Sequence, residues 1–132
     1  MSRLFNITNH AITAEQRSDA EASLGIGEVV ETPPTISHLW GSIPPELDSV
    51  REFVRPVLDW LESQTLGAGD VVWVQGEWGG VFAVVDWCRT HSVRCVYATT
   101  RREAQEIHTE GGVQMVHLFR HVRFRDFPST ST

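Results

Sequence analysis

Val71-Val72-Trp73-Val74-Gln75-Gly76-Glu77-Trp78-Gly79-Gly80 is an apolar run that stops at a polar, glycine-dense turn. A short apolar run bounded by Gly reads as a buried strand of a parallel sheet. Directly after it, Val81, Val84, Val85 and Cys88 follow the i, i+3, i+4, i+7 spacing of one helix face. Gly76, Gly79 and Gly80 let the backbone turn sharply and come close to another group with no Cβ in the way. Strand, glycine turn and helix start together offer an anion a set of free N–H groups and the positive end of a helix dipole.

Toward the N-terminus, Leu4 to Thr8 reads as a first strand that ends at Asn9-His10. Thr13-Ala14-Glu15-Gln16 is a capping box, and the helix it opens runs to Leu24, where Gly25 stops it. Glu28 to Glu31 is a short second strand closed by Pro33-Pro34. Residues 35–46 read as a loop. Pro45 suits the first position of a long helix striped with Leu47, Val50, Val54, Val57, Leu58 and Leu61, which Pro56 kinks or splits. On the other side of the central stretch, Val93 to Ala98 gives a fourth strand that runs into Thr99-Thr100-Arg101-Arg102. Glu110-Gly111-Gly112 then turns the chain between two extended arms. Strict alternation puts Val122 and Phe124 on one face of the return arm and His121, Arg123 and Arg125 on the other. The expected fold class is α/β: a mainly parallel sheet with flanking helices and a C-terminal antiparallel hairpin. It forms one domain over residues 1–127, with a disordered tail at 128–132.

The net charge is −6, which argues against a surface that coats long nucleic acids. Every basic residue is Arg. Between Arg89 and Arg125 there are seven Arg (89, 94, 101, 102, 120, 123, 125) against three acids, Glu103, Glu106 and Glu110. A locally basic region in an acidic chain suits a small, compact anion, and a solvated strand face accounts for it equally well. No apolar run reaches membrane-span length and no signal-peptide pattern opens the chain, so the expected compartment is the cytoplasm. Cys88 and Cys95 have no metal-type spacing, and a reduced, buried Cys88 is the simplest reading.

Three strand-end turns meet on the carboxyl edge of such a sheet: Asn9-His10, Gln75-Gly76-Glu77-Trp78-Gly79 and Thr99-Thr100-Arg101-Arg102. Asn9 and Gln75 offer amides to base or ribose edges, and Thr99, Thr100 and backbone N–H groups suit phosphate oxygens. Arg101 or Arg102 can grip a phosphate bidentately, and Trp78 offers a stacking face. The turn is not GxGxxG and lacks the Lys-Ser/Thr of a P-loop. Plainer readings stand beside these: Trp78 covers the sheet edge or an oligomer interface, Trp60 and Trp87 pack, and Glu77 salt-bridges an Arg. His117 and His121 share a strand face but have no matching third metal ligand.

Asn9-His10-x-x-Thr13, Gln16 with Leu24-Gly25, Leu39-Trp40 with Ile43-Pro44-Pro45-Glu46, Gln75 to Gly79, Tyr97-Ala98-Thr99-Thr100-x-Arg102 and Phe119-x-His121-Val122-Arg123-Phe124-Arg125 occur in this order. Together they resemble a family of small stand-alone type III CRISPR-associated ring nucleases, over nearly the whole chain. The resemblance implies a Rossmann-like, CARF-related fold. It also implies binding of cyclic oligoadenylate, chiefly cyclic tetra-adenylate, its cleavage to switch off an antiviral second messenger, and a homodimer with the ligand across a two-fold axis. The expected reaction needs no metal or cofactor: a ribose 2′-hydroxyl attacks the neighbouring phosphate. His10 is the expected general base or acid and Glu77 a candidate to orient it, with Arg101 or Arg102 stabilising charge on phosphate. Asn9, Gln75, Gly76, Trp78, Gly79, Gly80, Thr99, Thr100, His121 and Arg123 make up the expected ligand-binding set. The alternatives are a sensor or sponge that binds the messenger without cutting it, and an unrelated flavodoxin-like nucleotide-binding protein.

Overall fold

A computed structural model describes residues 1–128. Five strands, β1 (Arg3–Ile7), β2 (Glu28–Glu31), β3 (Val71–Val74), β4 (Arg94–Thr109) and β5 (Gly112–Asp126), form one sheet in the order β2-β1-β3-β4-β5. The first four run parallel, and β5 returns antiparallel along β4. Four helices flank the sheet: α1 (Ala14–Leu24), α2 (Pro34–Trp40), α3 (Arg55–Ser63) and α4 (Trp78–Thr90).

Successive strand residues point to opposite faces, so each apolar strand feeds two cores. Leu4, Val71, Trp73, Val96 and Phe124 pack with Ala20 of α1 on one face. Phe5, Ile7, Val72 and Val74 pack with Trp40, Val57, Leu61, Val84 and Cys88 from the other three helices on the opposite face. The direction of travel explains the division. The chain steps from β1 out to β2 through α1, then reverses across β1 to β3 and on to β4. Right-handed crossovers place connections on opposite faces when that direction reverses. The reversal leaves an opening between the carboxyl ends of β1 and β3, where ligands bind in open α/β sheets.

Several expectations are corrected. Residues 35–46 are not all loop: Pro34 opens α2, which its fixed φ permits at the first helical position, and Trp40 closes it. Pro45 opens no helix. Residues 45–54 make turns, and α3 begins only at Arg55, with Pro56 in its first turn, where a missing N–H leaves nothing unpaired. Leu47 is consequently exposed, while Val54, Val57 and Leu61 are buried. β4 does not end at Ala98. It runs on past the end of β3 to Thr109, and β5 pairs with it over that whole length, so a two-stranded arm leaves the body of the sheet.

The pairing steps from Thr99↔Arg123 to Thr100↔His121, leaving Val122 as the extra residue of a β-bulge. Strict alternation therefore fails at this point. His121 lies on the same face as Phe124, their rings 5.0 Å apart, and away from Arg123. The tail expected at 128–132 falls, from 129 on, outside the described residues.

Asp70 ties the start of β3 to that of β1. Its carboxylate accepts from Arg3 N at 2.9 Å, Arg3 Nη2 at 2.9 Å and Gly67 N at 2.8 Å. Burial pushes this carboxyl up, but the Arg3 guanidinium and the two N–H bonds outweigh it and hold the group below the usual range. Behind the sheet, a hydrogen bond with Cys88 and burial push the Cys95 thiol far above its ordinary value. Both cysteines are free, and Cys88 is fully buried. Neither thiol is expected to react with a polar disulfide reagent in the native protein, and both are expected to react promptly in denaturant. Among the described residues, no helix is long and apolar enough to cross a membrane.

Candidate functional site at the carboxyl edge

The first cleft opens beside β1 and β2 and holds about 590 Å³, lined by Thr8, Asn9, His10, Ala11, Glu31, Thr32, Ser37 and Gly41. Its floor is a buried polar knot. Asn6 Nδ2 donates to His10 O at 3.0 Å and to Glu31 Oε2 at 2.8 Å, and Thr8 Oγ1 donates to His10 O at 2.8 Å. Asn6 and Thr8 are buried polar residues that satisfy each other and hold the Asn9-His10 turn in place. The His10 ring is exposed at the cleft mouth and stands 6.1 Å from Trp73. Asn9 lies against Gly41.

The β3–α4 turn is held from behind by Trp40, whose Nε1 donates to Gln75 O at 2.9 Å. Gly76 has φ 153°, and a Cβ there would stand 2.8 Å from Trp40 Nε1; at Gly80 it would be 3.1 Å from the Trp40 ring. The absent side chains at these two positions make room for Trp40, a reason that needs no ligand. Gln75 Oε1 accepts from Trp73 Nε1 at 2.7 Å and from Ala98 N at 2.8 Å, which ties β3 to β4. Glu77 is the N-cap of α4, and its carboxylate accepts from Gly79 N and, at 3.0 Å, from Gly80 N. The amides expected to face a phosphate are thus already paired with a carboxylate of the same turn.

A second cleft of about 400 Å³ lies on the other side of this turn, lined by Val74, Gln75, Gly76, Trp78, Val81, Tyr97, Phe127 and Pro128. Its walls are aromatic. Trp78 is 89% exposed, and the Tyr97 and Phe127 rings lie 4.8 Å apart. Tyr97, Thr99 and Arg101 share one face of β4, with Arg125 and Arg123 opposite the first two on β5. Arg125 Nη1 donates to Tyr97 Oη at 3.2 Å, and Thr99 Oγ1 donates to Arg123 O at 3.0 Å.

Thr99 to Arg102 are therefore strand residues, not a turn, and they divide between two faces. Arg101 and Thr99 lie on the Tyr97 side; Thr100 and Arg102 lie on the side of α1. His121 also belongs to the α1 side, where its Nε2 meets Asp19 Oδ2 at 2.7 Å. Its side chain is 5% exposed, and its Nδ1 has no hydrogen-bond partner among the described residues. Burial raises the Asp19 carboxyl, but bonds from the Ser23 hydroxyl and His121 bring it below its ordinary value. His117 remains exposed.

The edge thus brings together Asn9 and His10 in one cleft, and Gln75, Gly76 and Trp78 in the other, with Thr99, Arg101 and Arg123 flanking the latter. Thr100, Arg102 and His121 stand apart on the opposite face. Sequence reasoning missed Glu31, Thr32 and Ser37 as lining residues, although an acid ending a short strand on the carboxyl edge was a usable signal. It also missed Tyr97 and Phe127, while nothing in the sequence marked Asp19 as the partner of His121.

The model of the Uncharacterized protein MJ1673 family matches residues 2–125. The Uncharacterized protein MJ1673 of Methanocaldococcus jannaschii is 29% identical over 127 residues, a match covering 96% of this chain and 98% of that protein. No solved structure matches. The first cleft and the arm lie within the matched span, Phe127 and Pro128 of the second cleft lie just beyond it, and the chain belongs to the Uncharacterized protein MJ1673 family.

Proposed function

We propose that this protein is a cytoplasmic, Rossmann-like (CARF-like) ring nuclease. It would bind cyclic tetra-adenylate and cut it to linear di-adenylates, acting as a homodimer and switching off type III CRISPR signalling. The observation that supports this most is the pairing of an aromatic cleft with a row of cations. Trp78, Tyr97 and Phe127 offer stacking faces, and Arg101, Arg123 and Arg125 share the adjoining strand face. Each stacked base contributes about 1–3 kcal/mol, and Arg suits a phosphate through its planar fork. Adenine on the aromatics with phosphate on the arginines leaves the ribose between the second cleft and the strand face of the arm.

The cleavage step needs only the ligand's own atoms and a proton relay. The ribose 2′-oxygen forms a bond to the adjacent phosphorus while its proton leaves to a base. The P–O5′ bond breaks, and the 5′-oxygen takes up a proton, giving a 2′,3′-cyclic phosphate and a free 5′-hydroxyl. Holding the 2′-oxygen in line contributes up to about 7–11 kcal/mol in ideal intramolecular cases. His10 is the proposed proton carrier, and Arg101 stabilises the charge that develops on phosphate. Glu77 takes part only if its carboxylate leaves Gly79 and Gly80, whose amides the phosphate would then occupy.

Incubation with cyclic tetra-adenylate in excess EDTA, with products resolved by chromatography, tests this. Linear di-adenylates are expected. His10→Ala should slow single-turnover cleavage about 100-fold or more. Arg101→Ala should abolish cleavage, whereas Arg102→Ala, on the far face, should largely retain it. Absence of binding would overturn the proposal. Tight binding without product would support a second reading, a non-cleaving sensor or sponge. One observation favours that reading: no side chain among the described residues hydrogen-bonds the His10 ring to orient it as a base.

A further inference from the structure

The arm formed by β4 and β5 is anomalous as a free element. β3 pairs with β4 only as far as Trp73↔Val96, whereas the β4–β5 ladder continues from Thr100↔His121 to Thr109↔Gly112. A two-stranded ribbon alone in water is marginally stable. Its outer strand, β5, is also the edge of the sheet, so alternate N–H and C=O groups along it have no neighbour. Edges of this kind are normally guarded by charge, yet Val113-Gln114-Met115-Val116-His117-Leu118-Phe119 contains no Asp, Glu, Lys or Arg. Val113 and Met115 are each 56% exposed and Phe119 69%.

Within that segment, the stretch Met115 to Phe119 is close to a palindrome. Counted outward from His117, Val116 mirrors Leu118 and Met115 mirrors Phe119. The charges of the arm are polarised to match. Four arginines, Arg101, Arg102, Arg120 and Arg123, stand at its base with one acid, Glu103, which lies 3.5 Å from Arg120, and Glu106 and Glu110 stand toward its tip. We infer that β5 pairs with β5 of a second copy, antiparallel, about a two-fold axis through His117. In that register Met115 lies beside Phe119 of the second copy on one face, and Val116 beside Leu118 on the other. The acidic tip of each arm reaches the level of Arg123 and Phe124 of the other, so opposite charges meet at both ends. Moving the centre by one residue sets His117 against Phe119 and Val116 against Arg120, or Met115 against His117 and Gln114 against Leu118, which loses the apolar matching. The interface is self-complementary, as a two-fold dimer requires. It does not rest on the ring-nuclease reading, and it differs from a dimer whose two clefts face each other across a shared ligand.

Sedimentation over a hundredfold concentration range, combined with cysteine cross-linking, tests the register. The wild type is expected to dimerise, and Phe119→Glu to weaken the dimer more than tenfold while melting as the wild type does, since Phe119 is exposed. His117→Cys should give a covalent dimer under mild oxidation. Opposed antiparallel residues have Cα atoms about 4.5–5.5 Å apart, within disulfide reach. Gln114→Cys, which would face Arg120 of the second copy, should stay uncrosslinked, as should the wild type. A monomer at all concentrations would overturn the inference. So would a dimer that survives Phe119→Glu and fails to cross-link through position 117; that outcome would leave the proposed function intact and point to pairing cleft to cleft.

Discussion

Trp40→Ala is expected to destabilise the protein by about 3–5 kcal/mol, the range for truncating a buried Trp. Trp40 is 2% exposed, and its ring fills the space left open by both Gly76 and Gly80. Its loss opens a cavity behind the β3–α4 turn and removes the donor to Gln75 O. For a chain of this size such a loss lowers the melting temperature by roughly 10–20 °C. Trp40→Phe separates the two contributions: it keeps most of the packing, loses the Nε1 bond, and is expected to cost only about 1–2 kcal/mol. Thermal unfolding of both variants checks the difference. Because Gly41 lines the first cleft and Gly76 the second, the same substitution should loosen both together.

Asp70→Ala is the second large effect, with an expected loss of about 2–3 kcal/mol. The variant leaves two backbone N–H groups and the Arg3 guanidinium without their acceptor. Arg3 keeps part of its side chain in water, which holds the loss below that of breaking a fully buried pair. The pH dependence follows from the direction of the carboxyl shift. A group whose folded value lies below its unfolded value, near 3.9, stabilises the fold fully above that value and loses the contribution as pH falls through the folded one. Asp70, Asp19 and Asp126 are all shifted downward. Denaturant titrations should therefore show stability declining as pH drops below about 5, with a shallower acid slope in Asp70→Asn.

How legible these features were in the sequence depends on the range of the forces that set them. The capping box at Thr13 and Gln16 was readable because its two bonds, at 3.1 and 3.0 Å, are local to one helical turn. The apolar run at Val71 was readable because burial on both faces leaves it no polar positions. α2 was not, since Pro33-Pro34 signals a break and the helix that follows is only about two turns long, held by Trp40 against distant glycines. Pro45 and Pro56 are equally good helix openers by local chemistry, and packing of Val57 and Leu61 on the sheet chose the second. At the site, Asn9, His10 and the Gln75–Gly80 turn were found because strand ends mark the carboxyl edge. The role of Glu77 as a cap was hidden behind the same glycines that suggested a phosphate. The separation of Arg101 from Arg102 became visible only once β4 was seen to continue.

The bulge at Val122 has a consequence for how the arm is built. On either side of it the ladder keeps the same phase: Ala98↔Phe124 and Thr100↔His121 both present their side chains to the α1 side. The inserted residue therefore adds length to one strand without exchanging the arm's two faces. What it does change is inclination, because two residues facing one bend and twist the strand that carries them. Direction and surface chemistry are then independent variables in this hairpin. Evolution could re-aim the arm by a single insertion or deletion at position 122 while every pairing farther out, and the surface those pairs present, stayed as it was.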